Sequence, residues 1–239
     1  MKISIITTTF NSECTIKRLV ECLMAQTDSD FEWIVADGGS TDNTVKIIKS
    51  INNLKTQIIE GPDFGIYDGI NRALLICRSE FYLVVGSDDI LKKNTIALYK
   101  EYATSEVDIV TANVLRGKML HTAKKRKISF LDDTWSYVSC HSVGCLIRRS
   151  LHDEYGLYSK RFPIAADQYF LNKIIKEKKE IKKASFLAGE FNEGGVSSTD
   201  VAGHLCETFR VNYETGNYKF IQLILFLLRL VKNKFQGKF

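Results

Sequence analysis

Two hydrophobic periodicities alternate over the first 111 residues. Lys2–Thr8 (KISIITT), Glu32–Ala36 (EWIVA), Gln57–Glu60, Phe81–Val85 (FYLVV) and Val107–Thr111 are short runs rich in β-branched and aromatic residues, which predict strands. Between them, apolar residues recur at helical spacing: Ile16, Leu19, Val20, Leu23 and Met24 within Thr15–Gln26, and Ile66, Ile70, Ala73, Leu74 and Cys77 within Ile66–Cys77. Thr44–Ile51 and a stretch from near Ile90 to Ala103 complete the predicted helices, with Asn11 or Ser12 placed to cap the first and Asp42 the second. This alternation predicts an α/β protein with a mostly parallel sheet flanked by helices.

Beyond residue 112 the pattern weakens. Lys118–Asp133 is basic and polar and reads as a loop, His141–Arg149 as a returning strand, and Gly194–Ser198 as a flexible turn. Asp167–Lys178 predicts a helix with Phe170, Leu171, Ile174 and Ile175 inward. Three parts follow: residues 1–111, residues 112–205 of the same domain, and a basic amphipathic helical tail over residues 206–239.

Charge changes the reading of the tail. No acidic residue follows Glu214, while Lys219, Arg229, Lys232, Lys234 and Lys238 do, and Phe220–Val231 between them is nearly all apolar. That run is too short to span a bilayer, which takes about 20 residues, and suits a helix lying at an anionic lipid surface, on a second copy, or on its own core. A second cluster, Lys124–Lys127, fits the same surface or plain solvation. The net charge of +5 is too mild, without a recognised module, for nucleic-acid binding. Six cysteines without a CxxC pair read as reduced thiols of a cytoplasmic protein, and four histidines without paired spacing argue against zinc. Residues 1–9 read as a strand rather than a secretory leader.

In sheets of this kind ligands bind beyond the carboxyl ends of the strands. Those ends are Thr7-Thr8-Thr9, Asp37-Gly38-Gly39-Ser40, Gly61-Pro62-Asp63 and Gly86-Ser87-Asp88-Asp89, each small, polar or acidic. The turn Thr9–Glu13 has no glycine, so the GxGxxG dinucleotide loop is missing, and no P-loop is present. Adjacent carboxylates at Asp88 and Asp89 repel unless a positive charge sits beside them, and a hard divalent cation carrying phosphate oxygens fits. The plain alternative is a cap for the following helix.

Taken in order, Thr7-Thr8-Thr9-Phe10-Asn11, Asp37-Gly38-Gly39-Ser40-Thr41-Asp42-Asn43-Thr44, Gly65-Ile66-Tyr67-Asp68-Gly69-Ile70-Asn71 and Ser87-Asp88-Asp89 resemble glycosyltransferase family 2. The likeness is strongest over the first 90 residues and extends to about residue 200, and the GIYDxxN segment is similar to enzymes of bacterial surface-polysaccharide assembly. The resemblance implies a GT-A fold and inverting transfer of a sugar from a nucleotide-diphosphate donor, a UDP-sugar favoured, to a lipid-linked or oligosaccharide acceptor. It implies a cytoplasmic enzyme peripheral to the inner face of the membrane. It places Thr8, Asp37, Asp68 and Asp88 around the nucleotide sugar, gives Asp89 to Mg²⁺ or Mn²⁺, and makes Asp167 the catalytic base. Gln168 after that aspartate and Ser87 at the head of the acidic triplet depart from the usual pattern. His141 and His204 are candidates for acceptor or diphosphate contact.

The chemistry agrees with this reading. A divalent cation stabilises the charge that develops on a departing diphosphate. One carboxylate suffices to take the acceptor's proton, and Pro163–Ala166 gives Asp167 an apolar surround. The rivals are a non-catalytic nucleotide-sugar-binding scaffold and a nucleotidyltransferase of the same fold. The second would want a glycine-rich first turn with a lysine or arginine, which Thr7–Glu13 lacks.

Overall fold

A computed structural model describes residues 2–124, 134–192, 194, 196–216 and 218–237. The expected strand–helix alternation opens the chain: β1 (Ile3–Thr9), α1 (Ile16–Met24), β2 (Phe31–Asp37), α2 (Thr44–Lys49), β3 (Thr56–Glu60), α3 (Ile66–Ile76) and β4 (Phe81–Val84). There follow β5 (Ile90–Leu91), α4 (Thr95–Tyr102), β6 (Ile109–Arg116), β7 (Met119–His121), α5 (Thr134–Tyr137), β8 (Cys145–Arg148), α6 (Leu151–Tyr155) and α7 (Ala166–Lys176). The chain closes with β9 (Ile181–Phe191), α8 (Val196–Thr199), α9 (Val201–Thr215) and α10 (Lys219–Phe235).

The described strands form one sheet in the order β3-β2-β1-β4-β8-β6-β9-β5, with β7 paired to β6. β1, β2, β3, β4, β6 and β9 run the same way, while β8, β5 and β7 run against their neighbours. Register brings Thr9, Asp37 and Glu60 level at the ends of β1, β2 and β3. The strand order reverses about β1, which has β2 on one side and β4 on the other, and a ligand crevice opens at such a point.

Alternation along the strands sends Ile3, Ile5, Trp33 and Leu83 into one core layer, against α1 and α4, and Ile6, Ile34 and Tyr82 into the other, against α3 and α7. Trp33 is fully buried and its Nε1 donates to Thr7 Oγ1 at 3.0 Å, so its bulk is packed without an orphaned donor. Burying such a side chain contributes about 2–3 kcal/mol.

Beyond the expected pattern the fold differs in several places. No helix starts at Ile90: Ile90 and Leu91 pair with Glu190 and Gly189 of β9, and the helix waits until Thr95. Gly189 permits this pairing, because a Cβ there would stand 2.1 Å from the Ile90 carbonyl oxygen. The segment after Gly117 returns as β7 before the chain enters residues 125–133, so most of the Lys124–Lys127 cluster lies outside the described residues. The eleven-residue β9, which the hydrophobic pattern does not reveal because Lys182 and Lys183 sit exposed among its first positions, pairs in parallel with β6. Residue 206, the expected start of the tail, lies inside α9, whose Val211 belongs to the core; the outlying helix is α10. The Gly194–Ser198 turn runs into the single helical turn of α8.

Candidate active site

Close packing at the sheet's carboxyl edge begins with glycines. A Cβ on Gly69 would stand 2.7 Å from Thr8 Cγ2, and one on Gly38 would stand 2.9 Å from Asp63 Oδ2. Without those side chains, α3 closes onto the end of β1 and Asp63 fits between the two loops. The β1–α1 and β2–α2 loops are braided: the Asn11 amide donates to Ser40 Oγ at 2.8 Å and the Thr41 amide to Asn11 Oδ1 at 2.9 Å. Asn11 takes φ 47° to do so and caps nothing; the α1 N-terminus instead leans on the Ser12 carbonyl. The Thr44 amide donates to Asp42 Oδ1 at 2.9 Å, one residue outside the cap of α2.

Asp37 is 1% exposed, and four hydrogen bonds fill its carboxylate. Oδ1 accepts the Gly39 and Ser40 amides at 3.0 and 2.8 Å, and Oδ2 accepts Thr9 Oγ1 and Ser40 Oγ at 2.8 and 2.6 Å. Burial pushes the group up, but these bonds outweigh it and hold the carboxyl below its ordinary value. Asp68, in the first turn of α3, faces Lys160 Nζ at 3.0 Å, and that ammonium holds its carboxyl low. Asn71 clamps the Tyr158 backbone at 2.8 and 2.9 Å, and Arg72 donates to the Gly61 carbonyl.

Asp89 follows β4 and is 1% exposed. Oδ2 accepts the Gly86 amide at 2.7 Å and Ser142 Oγ at 2.6 Å, and Oδ1 accepts the Asn192 amide at 3.1 Å. Burial pushes its carboxyl up to about 6 against the pull of those three donors, and the neighbouring Asp88 charge adds to the rise. Asp88 is half-buried. Gly86 leaves room for both, since a Cβ there would stand 3.0 Å from Asp88 Oδ1 and from Asp89 Oδ2. Ser142 is held by a strained turn in which Val143 takes φ 64°, a conformation costing a β-branched residue about 1–3 kcal/mol. The Val143 amide bond to the Val84 carbonyl at 2.8 Å and the Tyr99 hydroxyl bond to the Val143 carbonyl at 2.7 Å hold it there.

A cleft of about 500 Å³ lies over this edge. Thr8, Asp88, Asp89, His141, Asp167 and His204 all line it, so six of the eight residues singled out from the sequence meet; Asp37 and Asp68 lie outside the lining. Asp167 lies in the first turn of α7, half-buried, with Ala165 and Ala166 buried beside it and its Oδ1 accepting the Gln168 amide at 2.7 Å. Tyr67 stands over it: burial and then the Asp167 charge raise the phenol well above its ordinary value. His141 precedes β8 and is buried; His204 sits on α9, where burial lowers its pKa against the opposing pull of Asp167. Arg116, Trp135, Gln168 and Phe191 add to the wall. A second depression of about 470 Å³, at Arg78 and Arg149, lies by the start of β4 and holds no paired carboxylates.

Sequence reasoning missed Ser142 and Asn192, the partners of Asp89. They are 53 and 103 residues from it, and no short-range signal links them. Trp135 precedes no recognisable motif.

The donor set suits a hard cation. Asp88 and Asp89 are adjacent, and among the described residues no lysine or arginine forms an ion pair with either. Burial and the adjacent Asp88 charge both disfavour the ionised form of Asp89, and a bound cation would offset them. The described residues contain no cluster of three or more histidine, cysteine or acidic ligands, so phosphate oxygens and water would complete the shell.

The mixed sheet with helices on both faces and a carboxylate-edged crevice at the strand reversal is the GT-A architecture of nucleotide-sugar-dependent transferases. The chain belongs to Glycosyl transferase family 2, whose sequence profile matches residues 4–170, and the protein is a glycosyltransferase. A PGL/p-HBAD biosynthesis glycosyltransferase of Mycobacterium bovis is 27% identical over 236 residues, covering 95% of this chain and 89% of the relative. The structure of Staphylococcus aureus TarS 1-349 in complex with UDP-GlcNAc superposes with a TM-score of 0.72 at 22% identity, covering 93% of this chain and 69% of that one. A mannosyltransferase of Pyrobaculum calidifontis in complex with GDP-Man and Mn²⁺ gives 0.70 at 17% identity, covering 92% and 67%.

Proposed function

We propose that the protein is an inverting, divalent-metal-dependent glycosyltransferase that moves a sugar from a nucleotide diphosphate, a uridine nucleotide favoured, to a lipid-linked glycan. One observation carries the reading: a single cleft is lined by an isolated carboxylate, Asp167, and by the adjacent pair Asp88 and Asp89. Residues 1–111 form the donor side and residues 112–216 the acceptor side. Thr8 and Asp88 border the nucleotide sugar, while Asp37 supports the pocket by shaping the turn above it. The relatives' ligands support the donor class, since the TarS structure holds UDP-GlcNAc and the mannosyltransferase GDP-Man with Mn²⁺.

Asp88 and Asp89 would hold Mg²⁺ or Mn²⁺, which supplies charge stabilisation for the departing diphosphate. Asp167 accepts the proton of the acceptor hydroxyl as that oxygen attacks the anomeric carbon from the face opposite the leaving group. The carbon–oxygen bond to the diphosphate breaks, its electron pair leaves with the nucleotide, and configuration inverts in this one displacement. Tyr67 and the buried alanines limit water at Asp167, which favours transfer over hydrolysis.

Membrane contact rests on α10. Among the described residues no helix is long and apolar enough to cross a membrane. Along α10, however, Phe220, Leu223, Ile224, Leu227, Leu228, Val231 and Phe235 are all exposed, from 41% to 88%, while Phe226 stacks on Phe209 of α9 at 4.6 Å. The exposed residues recur every three or four positions and form one stripe, with Lys219 and Lys232 at its margins and no acid nearby.

The test is a thermal-shift screen of UDP-, GDP-, dTDP- and CDP-sugars with and without Mn²⁺. One nucleotide class should raise the melting temperature, and more with the metal. No shift with any of them would sink the donor assignment.

A further inference from the structure

Two hydrogen-bond chains, the first passing through Tyr82 of β4, each end at the cleft beside Asp167. The first starts at the Gly156 carbonyl, which can only accept, so His152 Nδ1 carries the proton between them at 3.0 Å. Burial pushes the His152 pKa down to about 4, so the ring is neutral and Nε2 is a bare lone pair. Tyr82 must donate to it, at 2.7 Å. The Tyr82 oxygen then accepts the Tyr158 hydroxyl at 2.6 Å, and the Tyr158 oxygen accepts His141 Nε2–H at 2.7 Å. Burial also favours the neutral His141 ring, against the pull of the Asp167 charge. His141 Nδ1 is therefore left as an acceptor, and no partner for it is found among the described residues.

The second chain starts at the Val211 carbonyl, which accepts Thr215 Oγ1–H at 2.7 Å. The Thr215 oxygen takes Asn172 Nδ2–H at 2.9 Å, and the same amide nitrogen reaches Asn212 Oδ1 at 3.3 Å. Asn212 Oδ1 also accepts Gln168 Nε2–H at 3.1 Å, which fixes the orientation of the Gln168 amide. Its Oε1 is buried without a partner, although the residue is 1% exposed and lines the cleft. An orphaned buried acceptor costs a fold about 1–3 kcal/mol unless a ligand completes it.

We propose that His141 Nδ1 and Gln168 Oε1 form a pair of orientation-locked acceptors beside Asp167 that select a neutral, polyhydroxylated acceptor sugar by receiving hydroxyls next to the attacking one. This rests on the glycosyl-transfer reading above and deepens it. Gln168 Oε1 cannot turn into a donor without breaking its chain, and His141 Nδ1 becomes one only if the ring takes a second proton, which burial disfavours. An acceptor that lacks the neighbouring hydroxyl leaves the buried Gln168 lone pair unmet, whereas one that has it completes the wall. Sites built to bond a substrate hydroxyl discriminate strongly against the analogue without it.

The experiment uses the full chain with UDP and Mn²⁺ present, and octyl β-glycosides of common hexoses paired with their monodeoxy analogues, read by saturation-transfer NMR. At least one glycoside should bind wild type about tenfold more tightly than a deoxy analogue. Gln168→Leu should bring that ratio close to one. The melting temperature and UDP binding serve as folding controls. A ratio unchanged in Gln168→Leu overturns the proposal, as does a wild type that binds UDP but no glycoside. A wild type that binds no nucleotide at all fells the donor reading, and this inference with it. Independently of ligand, ¹⁵N spectra of histidine-labelled protein should show His141 protonated at Nε2 and bare at Nδ1; the opposite tautomer overturns the assignment.

Discussion

The two sides of the cleft treat their polar atoms differently. On the donor side Asp37 accepts four hydrogen bonds, and the loops after β1 and β2 close on each other through Asn11, Ser40 and Thr41. On the acceptor side Gln168 Oε1, His204 Nδ1 and Thr208 Oγ1 are buried and unpartnered. A donor pocket that is already satisfied is rigid before the nucleotide arrives, and little ordering entropy remains to oppose binding. An acceptor wall with unmet polar atoms leaves that deficit to be filled by the right ligand, which is a source of selectivity.

The sharpest break of this comparison is Asp167→Asn. Transfer should fall about 10²–10⁴-fold while nucleotide affinity stays within about twofold, measured by product formation beside calorimetry with UDP. Equal loss of both would mean that Asp167 belongs to the donor side.

Acidification separates the halves next. The folded pKa of His152, about 4, lies below the unfolded value of 6.5, so the unfolded chain binds the proton first as pH falls. Stability is therefore lost from pH 6.5 down to about 4, by up to about 3 kcal/mol. Asp89 acts with the opposite sign: its folded pKa of about 6 lies above the unfolded 3.8, so its ionisation costs stability above about pH 6 and that cost fades on acidification. Comparing wild type with His152→Gln by denaturant titration at pH 7 and pH 4.5 cancels the Asp89 contribution. The variant should show a smaller acid-side decline, keeping the share due to His141 and His204; parallel curves would show that the His152 pKa is the same folded and unfolded.

Gly69→Ala probes the rigidity of the donor side. Its Cβ would press on Thr8 Cγ2, forcing α3 outward at a cost of about 1–3 kcal/mol and weakening UDP binding. A variant with unchanged melting temperature and UDP affinity would show a looser edge than the packing implies.

The smallest effect on the fold is expected at α10. Leu227→Asp, at a residue 52% exposed, should change stability by no more than about 0.5 kcal/mol yet abolish binding to phosphatidylglycerol vesicles, read by flotation. Wild type that ignores such vesicles would remove lipid contact from the account and turn attention to a second copy.

The same divide governs what the chain reveals as a string of letters. β1 to β4 and the helices between them follow from local periodicity, and their carboxyl ends carry short motifs, because parallel strands buried on both faces are hydrophobic throughout. β9 hides behind Lys182 and Lys183, and β5 is two residues long, a length below any periodic signal. The partners of Asp89 arrive from β8's approach and β9's exit, and the Tyr82–Tyr158–His141 contacts span 76 and 17 residues. Such contacts depend on sheet order, which short-range pattern does not encode. Asp37 is legible as a polar strand end from its glycine turn, while its complete saturation by that turn shows only in the fold.

The placing of β8 bears on how such an enzyme can change its preferences. β8 lies between β4 and β6, pairing with both, so the sheet weaves the two halves together rather than joining them end to end. Severed near residue 111, the amino-terminal piece would carry β4 with a bare hydrogen-bonding edge, an invitation to self-association. Swapping whole halves between relatives is thus closed as a route to new glycans. Diversification has to proceed one side chain at a time, on a scaffold inherited intact.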